Sequence, residues 1–173
     1  SSLRAIGVEK GDRVAGYLPN CPEAVIAMLA AASIGAIWSS CSPDFGSNGV
    51  IDRFGQIEPK VLFATNAYYY NGKIYDTRET VASIATAMTS LVTTVVIPFV
   101  DQVGTSIGIE NAKPWDEFLV DDAELEITPV EFNHPLYIMY SSGTTGIPKC
   151  IVHGHGGTLL QQSKEHVLHT GVA

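Results

Sequence analysis

The sequence predicts an α/β fold, a mostly parallel β-sheet covered by helices. Two observations predict it. Short strand-like runs alternate with segments of helical period, the order that builds βαβ units. The runs themselves, "VLFA" at 61–64 and the wholly β-branched "TTVVI" at 93–97, lack the polar-out alternation of a one-sided sheet, as strands covered on both faces do.

The elements follow in order. Residues 3–8 read as the tail of a helix, and Lys10-Gly11-Asp12 as a turn into a short strand at 13–18. Asn20-Cys21-Pro22-Glu23 reads as a helix start, with Asn20 as cap, Pro22 in the first turn and Glu23 at the positive end. The helix buries Ala24, Val25, Met28, Leu29 and Ala32, which recur at helical spacing. Gly35 ends it before a strand at 36–39. "CSPDFGSNG" is a loop punctuated by Pro and Gly. A helix at 50–57 closes before Pro59, the 61–64 strand follows, and a helix at 76–90 leads to the 93–97 strand. Residues 101–132 are an acidic, irregular excursion in which only "PWDEFL" has the look of a helical turn. A strand at 136–140 then runs into a hydroxyl- and glycine-rich loop, and a strand at 149–152 and a helix at 158–169 close the chain. The organisation is therefore βαβ units over 1–100, the excursion at 101–132, and strand, loop, strand and helix over 133–173. The helical tail at the start, and a final helix with no strand after it, read as part of a longer chain.

Composition narrows the function. Hydrophobic residues are 46% and charged residues 16%, a globular balance. Ten Lys+Arg against 18 Asp+Glu, a net charge of −8, argues against nucleic acid as a partner. Cys21, Cys41 and Cys150 are scattered and odd in number, which reads as reduced thiols in a cytoplasmic setting. Residues 24–43 carry no charge and have the length of a membrane span, but Ser33, Gly35 and "SSCSP" break the run, so it reads as a buried helix plus strand.

The stretch that carries chemistry is "MYSSGTTGIPKCIVH", 139–153. Glycines let backbone N–H groups approach an anion, hydroxyls donate to phosphate oxygens, and a lysine adds a mobile positive charge. No Asp or Glu occurs between Phe132 and Lys164. Pro148 fixes the backbone before Lys149 and holds Ile147 extended. A bare "SSGTTG" is also an ordinary turn between strands. It is not a Walker A loop, which places the lysine directly after the last glycine and a helix beyond.

"YSSGTTGIPKCIVH" resembles the phosphate loop of the adenylate-forming enzymes, whose pattern is roughly [ST]-[SG]-G-[ST]-T-G-x-P-K-G. "GDRVAGYLPNCPEAVIAMLAAASIGAIWSS" resembles the first βαβ unit of their acetyl-CoA-synthetase-like members. "WSSCSPDFGSNGVIDRFGQIEPKVLFA" and "PKCIVHGHGGTLLQQSKEHVLH" are most similar to the acetoacetyl branch, where Cys150 in place of the common glycine also fits. The resemblance implies an incomplete part of the large N-terminal domain of such an enzyme. It implies a ligase joining a short-chain acid, acetoacetate first, to coenzyme A through an acyl-adenylate, with ATP and CoA as substrates and Mg²⁺ bridging the phosphates. The alternatives are another short-chain acyl-CoA synthetase or a nucleotide-binding module without catalysis. Ser141, Ser142, Gly143, Thr144, Thr145, Gly146 and Lys149 would then hold the β- and γ-phosphates. Asp44, Phe45, Gly46 and Lys73 would contact coenzyme A. The family's Tyr-Gly-x-Thr-Glu motif, its ribose aspartate and its lysine-bearing C-terminal domain have no counterpart in these 173 residues, so no complete catalytic set is expected here, and the rest of its own chain is the expected partner.

"HGHGG", 153–157, offers two further readings. An oxyanion loop lacks a G-x-S-x-G nucleophile elbow to serve. A metal site of His153, His155, His166 and His169 lacks an acidic or thiol partner, and the plain reading is a Gly156-Gly157 turn before the last helix. "NAYYYNGK" reads as a strand end of mixed burial. Trp38 and Trp115 read as packing residues, and Asp121, Asp122, Glu124 and Glu126 as solvated charge.

Overall fold

A computed structural model of the chain describes residues 1–120, 124–142 and 146–172. Seven strands form one sheet, in the order β7 (Ala112–Pro114), β6 (Thr93–Ile97), β3 (Val61–Thr65), β1 (Arg13–Tyr17), β2 (Ile37–Cys41), β8 (Pro135–Ser141) and β9 (Lys149–Gly154). The central ones are β1, β2, β3 and β6. All pair in parallel, with Arg13 opposite Ile37, Val14 opposite Val61 and Val61 opposite Thr93. β3 and β6 are buried at every position, as their uninterrupted composition predicts. The chain winds outward from β1 in both directions, so the C-terminal ends of β1, β2, β3 and β8 (Pro135–Ser141) share one edge. In open α/β sheets ligands bind at that edge, where the winding reverses.

Two cores lie on opposite faces. On one, α3 (Ser47–Phe54) and α4 (Arg78–Ala87) bury Val50, Phe54, Val81 and Ile84 against Ala15, Tyr17, Leu62 and Val96. On the other, α1 (Ser2–Ala5), α2 (Pro22–Ser33) and α5 (Trp115–Phe118) cover Val14, Trp38, Phe63 and Val95. Phe63 is the hub of the second core, with Trp115 at 5.9 Å and Phe118 at 5.6 Å in edge contacts and Trp38 at 6.5 Å. Both tryptophans thus pack. Gly16 makes room for Trp38: a Cβ there would stand 2.7 Å from two carbons of the indole.

Several expectations are corrected. α2 is capped by Cys21, not Asn20, with Pro22 in its first turn. Its buried stripe is Ala27 and Ala31, while Val25, Ile26 and Leu29 are more than half exposed. The helix is apolar almost all round, so periodicity does not pick its face, and the close approach to β1 and β2 selects alanines. α3 begins at Ser47, three residues earlier than expected, directly after the 42–46 turn, and α4 is shorter at both ends. "AYYYNGKIYD" is a hairpin of β4 (Ala67–Tyr70) and β5 (Lys73–Asp76). Its turn residues Asn71 and Gly72 both have positive φ, 48° and 72°, the two-residue turn that Asn-Gly favours. The 101–132 excursion contributes an edge strand, β7 (Ala112–Pro114), parallel to β6, as well as α5. β9 (Lys149–Gly154) pairs antiparallel with β8. α6 begins at His155, so Gly156 and Gly157 lie in its first turn and not before it. α6 (His155–Lys164) continues as a π-helical segment, Glu165–Thr170, and neither buries a residue. Among the described residues no helix is long and apolar enough to cross a membrane, and 24–43 is α2 plus β2. Asp121 and Asp122 lie outside the described residues, and Glu126 pairs with Arg4 at 3.4 Å.

Candidate functional site

The loops at the shared strand edge build two adjoining clefts. The first, about 480 Å³, is lined by Trp38, Ser40, Phe45, Arg53, Met139 and Tyr140, among others. The second, about 380 Å³, is lined by Asn20, Asp44 and the three tyrosines Tyr68, Tyr69 and Tyr70, among others. Both include Ser40, Cys41 and Ser42, so they meet at the end of β2. One opens toward the end of β8, and the other lies under the tyrosine hairpin.

The hydroxyl-rich loop spans the end of β8 and the start of β9. Register places Ser141, the last residue of β8, opposite Lys149, the first of β9. The antiparallel pairing therefore brings the two ends of the predicted phosphate loop together across one rung. Ser142 and Lys149 are exposed, and among the described residues no carboxylate lies within ion-pair distance of Lys149. Gly146 has φ 101°, a conformation open to glycine and strained for other residues. Pro148 is buried and Ile147 exposed. Gly143, Thr144 and Thr145 lie outside the described residues.

The 42–46 turn is fixed from below. Tyr17, 1% exposed, directs its hydroxyl at the carbonyl oxygens of Pro43 (2.7 Å) and Phe45 (2.8 Å). Burial holds its phenol far above the ordinary range, with nearby Tyr68 and Asp44 adding to the shift, so it stays a donor. The guanidinium of Arg53 lies 4.4 Å from the Phe45 ring centroid and 5.9 Å from that of Tyr140, within cation–π range. Gly46 caps α3. Asp44 and Phe45 thus stand at the edge, Asp44 beneath the tyrosines. Lys73 pairs with Tyr70 across the hairpin and lies outside the lining of either cleft.

Arg53 and Gln56 are site-adjacent residues that patterning did not single out. Arg53 faces the first cleft and, among the described residues, makes one hydrogen bond, to the Gly49 carbonyl at 2.6 Å. Gln56 reaches the Pro148 carbonyl at 2.9 Å. Nothing in "DRFGQ" singles them out, since a cation and an amide are ordinary residues at the end of a surface helix. Tyr140 is partly buried beside Ser39 at 3.1 Å, and burial likewise raises its phenol well above the usual value.

The histidines do not converge. The His153 ring lies tilted beside Tyr137 at 5.0 Å between centroids, and His155 beside His134 at 5.8 Å. His169 lies 3.8 Å from Glu165. Among the described residues no group of three His, Cys, Asp or Glu is placed to hold a metal ion. All three cysteines are free, Cys21 and Cys41 buried and Cys150 exposed.

Comparison with known proteins adds four findings. The family model described as "AMP-binding enzyme" matches residues 1–171. The acetoacetyl-CoA synthetase of Macaca fascicularis is 52% identical over 177 residues, covering 98% of this chain and 26% of its own length. The malonamoyl-CoA synthetase of Penicillium aethiopicum is 46% identical over 180 residues, covering 99% of this chain and 25% of its own length. A solved acetoacetyl-CoA synthetase from Streptomyces lividans superposes with a TM-score of 0.91 at 47% identity, covering 98% of this chain and 26% of that one. The chain thus spans about a quarter of the length of the relatives it matches.

Proposed function

The chain belongs to the AMP-binding enzyme family, and from that we propose that the whole protein is an ATP-dependent acid–CoA ligase whose acid is acetoacetate. A carboxylate oxygen attacks the α-phosphorus of ATP, and pyrophosphate leaves. The thiol of coenzyme A then attacks the acyl carbon, and AMP leaves. In this reading Ser141, Ser142, Gly143, Thr144, Thr145 and Gly146 cradle the β- and γ-phosphates with hydroxyls and backbone N–H groups. Lys149 supplies the positive charge that offsets the pyrophosphate as it departs. The observation that carries the reading is the rung between Ser141 and Lys149, which sets hydroxyl and ammonium side by side at the ligand edge of the sheet.

Magnesium fits as an ion brought by the nucleotide. The loop flank offers the hydroxyls of Ser141 and Ser142 and no carboxylate cluster that would hold an ion alone among the described residues, which suits a cation that keeps its water and binds through phosphates. When bound it would neutralise part of the polyphosphate charge. Asp44, Phe45 and Gly46, with Lys73 at the hairpin, are the proposed contacts to coenzyme A. The acyl pocket, the adenine contacts and the remaining catalytic groups come from the rest of the protein.

A second reading keeps the ligase and changes the acid, and the similarity to a malonamoyl-CoA synthetase favours it. One assay separates the two. With full-length protein, MgATP and coenzyme A, AMP formation is followed with acetoacetate, butyrate, acetate and malonamate. A pocket that hydrogen-bonds the keto oxygen leaves a buried donor unpaired with butyrate, so acetoacetate gives the highest kcat/KM. A higher value for any other acid moves the assignment to that branch.

A further inference from the structure

One side chain from another element clasps the strand that carries Lys149. Gln56 lies two residues beyond α3. Its amide nitrogen donates to the Asp52 carbonyl at 2.7 Å and to the Pro148 carbonyl at 2.9 Å. Its amide oxygen stands 3.6 Å from the Cys150 sulfur, within reach of the thiol hydrogen. The chemistry fixes which way the amide points: two carbonyls demand the NH₂ side, and the thiol takes the oxygen. All of the group's donors are used. The contact one turn back, to Asp52, holds the side chain in one rotamer, and α3 beneath it is anchored by fully buried Val50 and Phe54. Pro148 and Cys150 are the two neighbours of Lys149, so the clasp holds the chain on both sides of the lysine, through the Pro148 backbone carbonyl and the Cys150 side-chain thiol.

We infer that Gln56 is a positioning residue for Lys149, holding the start of β9 so that the ammonium meets the nucleotide phosphates. This rests on the reading that Lys149 faces those phosphates. It adds a residue 93 positions away in sequence, just past the end of a helix with no part in the phosphate loop. The thiol at 150 gains a use as well, since a glycine there could not close the clasp.

The experiment uses full-length protein with Gln56→Ala, and with Gln56→Glu as the isosteric variant that cannot donate to the Pro148 carbonyl. Two readouts are taken, with thermal unfolding as the check that both variants fold. The KM for MgATP rises about fivefold, the worth of one ordinary hydrogen bond, while the KM values for acid and coenzyme A stay within about twofold. Independently of activity, the rate at which iodoacetamide labels Cys150, read on its peptide, rises by a similar factor in Gln56→Ala. Either readout staying at the wild-type value overturns the inference. If the wild-type protein makes no AMP, the ligase reading fails, and the labelling rate alone then decides whether Gln56 holds the strand.

Discussion

Replacing Tyr17 by phenylalanine takes one oxygen from beneath the 42–46 turn and leaves the ring in place. The side chain is 1% exposed and the ring of phenylalanine fills the same space, so no cavity cost arises. The hydroxyl sits 2.7 Å from the Pro43 carbonyl and 2.8 Å from that of Phe45, and its single hydrogen serves both. The Pro43 contact is buried, so that carbonyl is left dry in the variant. The Phe45 contact is only partly buried, so water replaces it. One net hydrogen bond plus one stranded acceptor amounts to about 1–2 kcal/mol. Urea unfolding of wild type and variant measures it. Because the same turn carries Asp44 and Phe45, the contacts proposed for coenzyme A, the KM of the full-length protein for coenzyme A is expected to rise with it, by about two- to tenfold. A stability change below about 0.3 kcal/mol would show that Tyr17 does not hold the turn, since even a weak net hydrogen bond exceeds it. Lost stability with an unchanged KM would detach the turn from coenzyme A binding.

Asn66 is fully buried at the end of β3, and its side chain serves four backbone groups. It accepts from the amides of Phe99 (3.0 Å) and Val100 (3.1 Å) and donates to the carbonyls of Val100 and Val103. Asn66→Ala strands them and costs about 3 kcal/mol, read by urea unfolding; a loss under about 1 kcal/mol contradicts the network's importance. Cys41 sets a pH dependence. Burial pushes its thiol up from 9.0 to about 11, against a smaller opposing pull from Arg53. The unfolded chain releases that proton first, so stability present below pH 9 declines as pH rises toward 11, by about 2–3 kcal/mol in all. Cys41→Ala removes that decline between pH 9 and 11, and an unchanged slope would mean the thiol is not the group titrating.

The sheet was legible because its strands carry their own evidence. "TTVVI" has no polar face to give to water, and β6 has the bounds its composition sets. The 141–149 loop stands out in the sequence because glycines, hydroxyls, proline and lysine each have a separate reason to be there if it holds phosphate. α2 misled because Val25, Ile26 and Leu29 are as apolar as Ala27 and Ala31; which stripe turns inward depends on how closely the sheet approaches, and a sequence pattern does not contain that distance. The hairpin was readable from Asn71-Gly72 but lay hidden among three tyrosines that suit a strand end equally well. The antiparallel turn of β9 and the reach of Gln56 to Pro148 are tertiary facts. Both depend on which strand neighbours which, and nothing local in "DRFGQIEPK" points to a partner 92 residues on.

In the proposed reaction the 141–149 loop holds the pyrophosphate that departs as the acyl-adenylate forms. The most direct test of this is pyrophosphate release by full-length protein given MgATP and acetoacetate, wild type beside Lys149→Ala. Wild type is expected to give AMP and pyrophosphate in equal amounts once coenzyme A is added, and the substitution to slow adenylation about a hundredfold with the unfolding transition unchanged, since Lys149 is exposed. Release of ADP and inorganic phosphate, or a Lys149→Ala protein as fast as wild type, would contradict this reading.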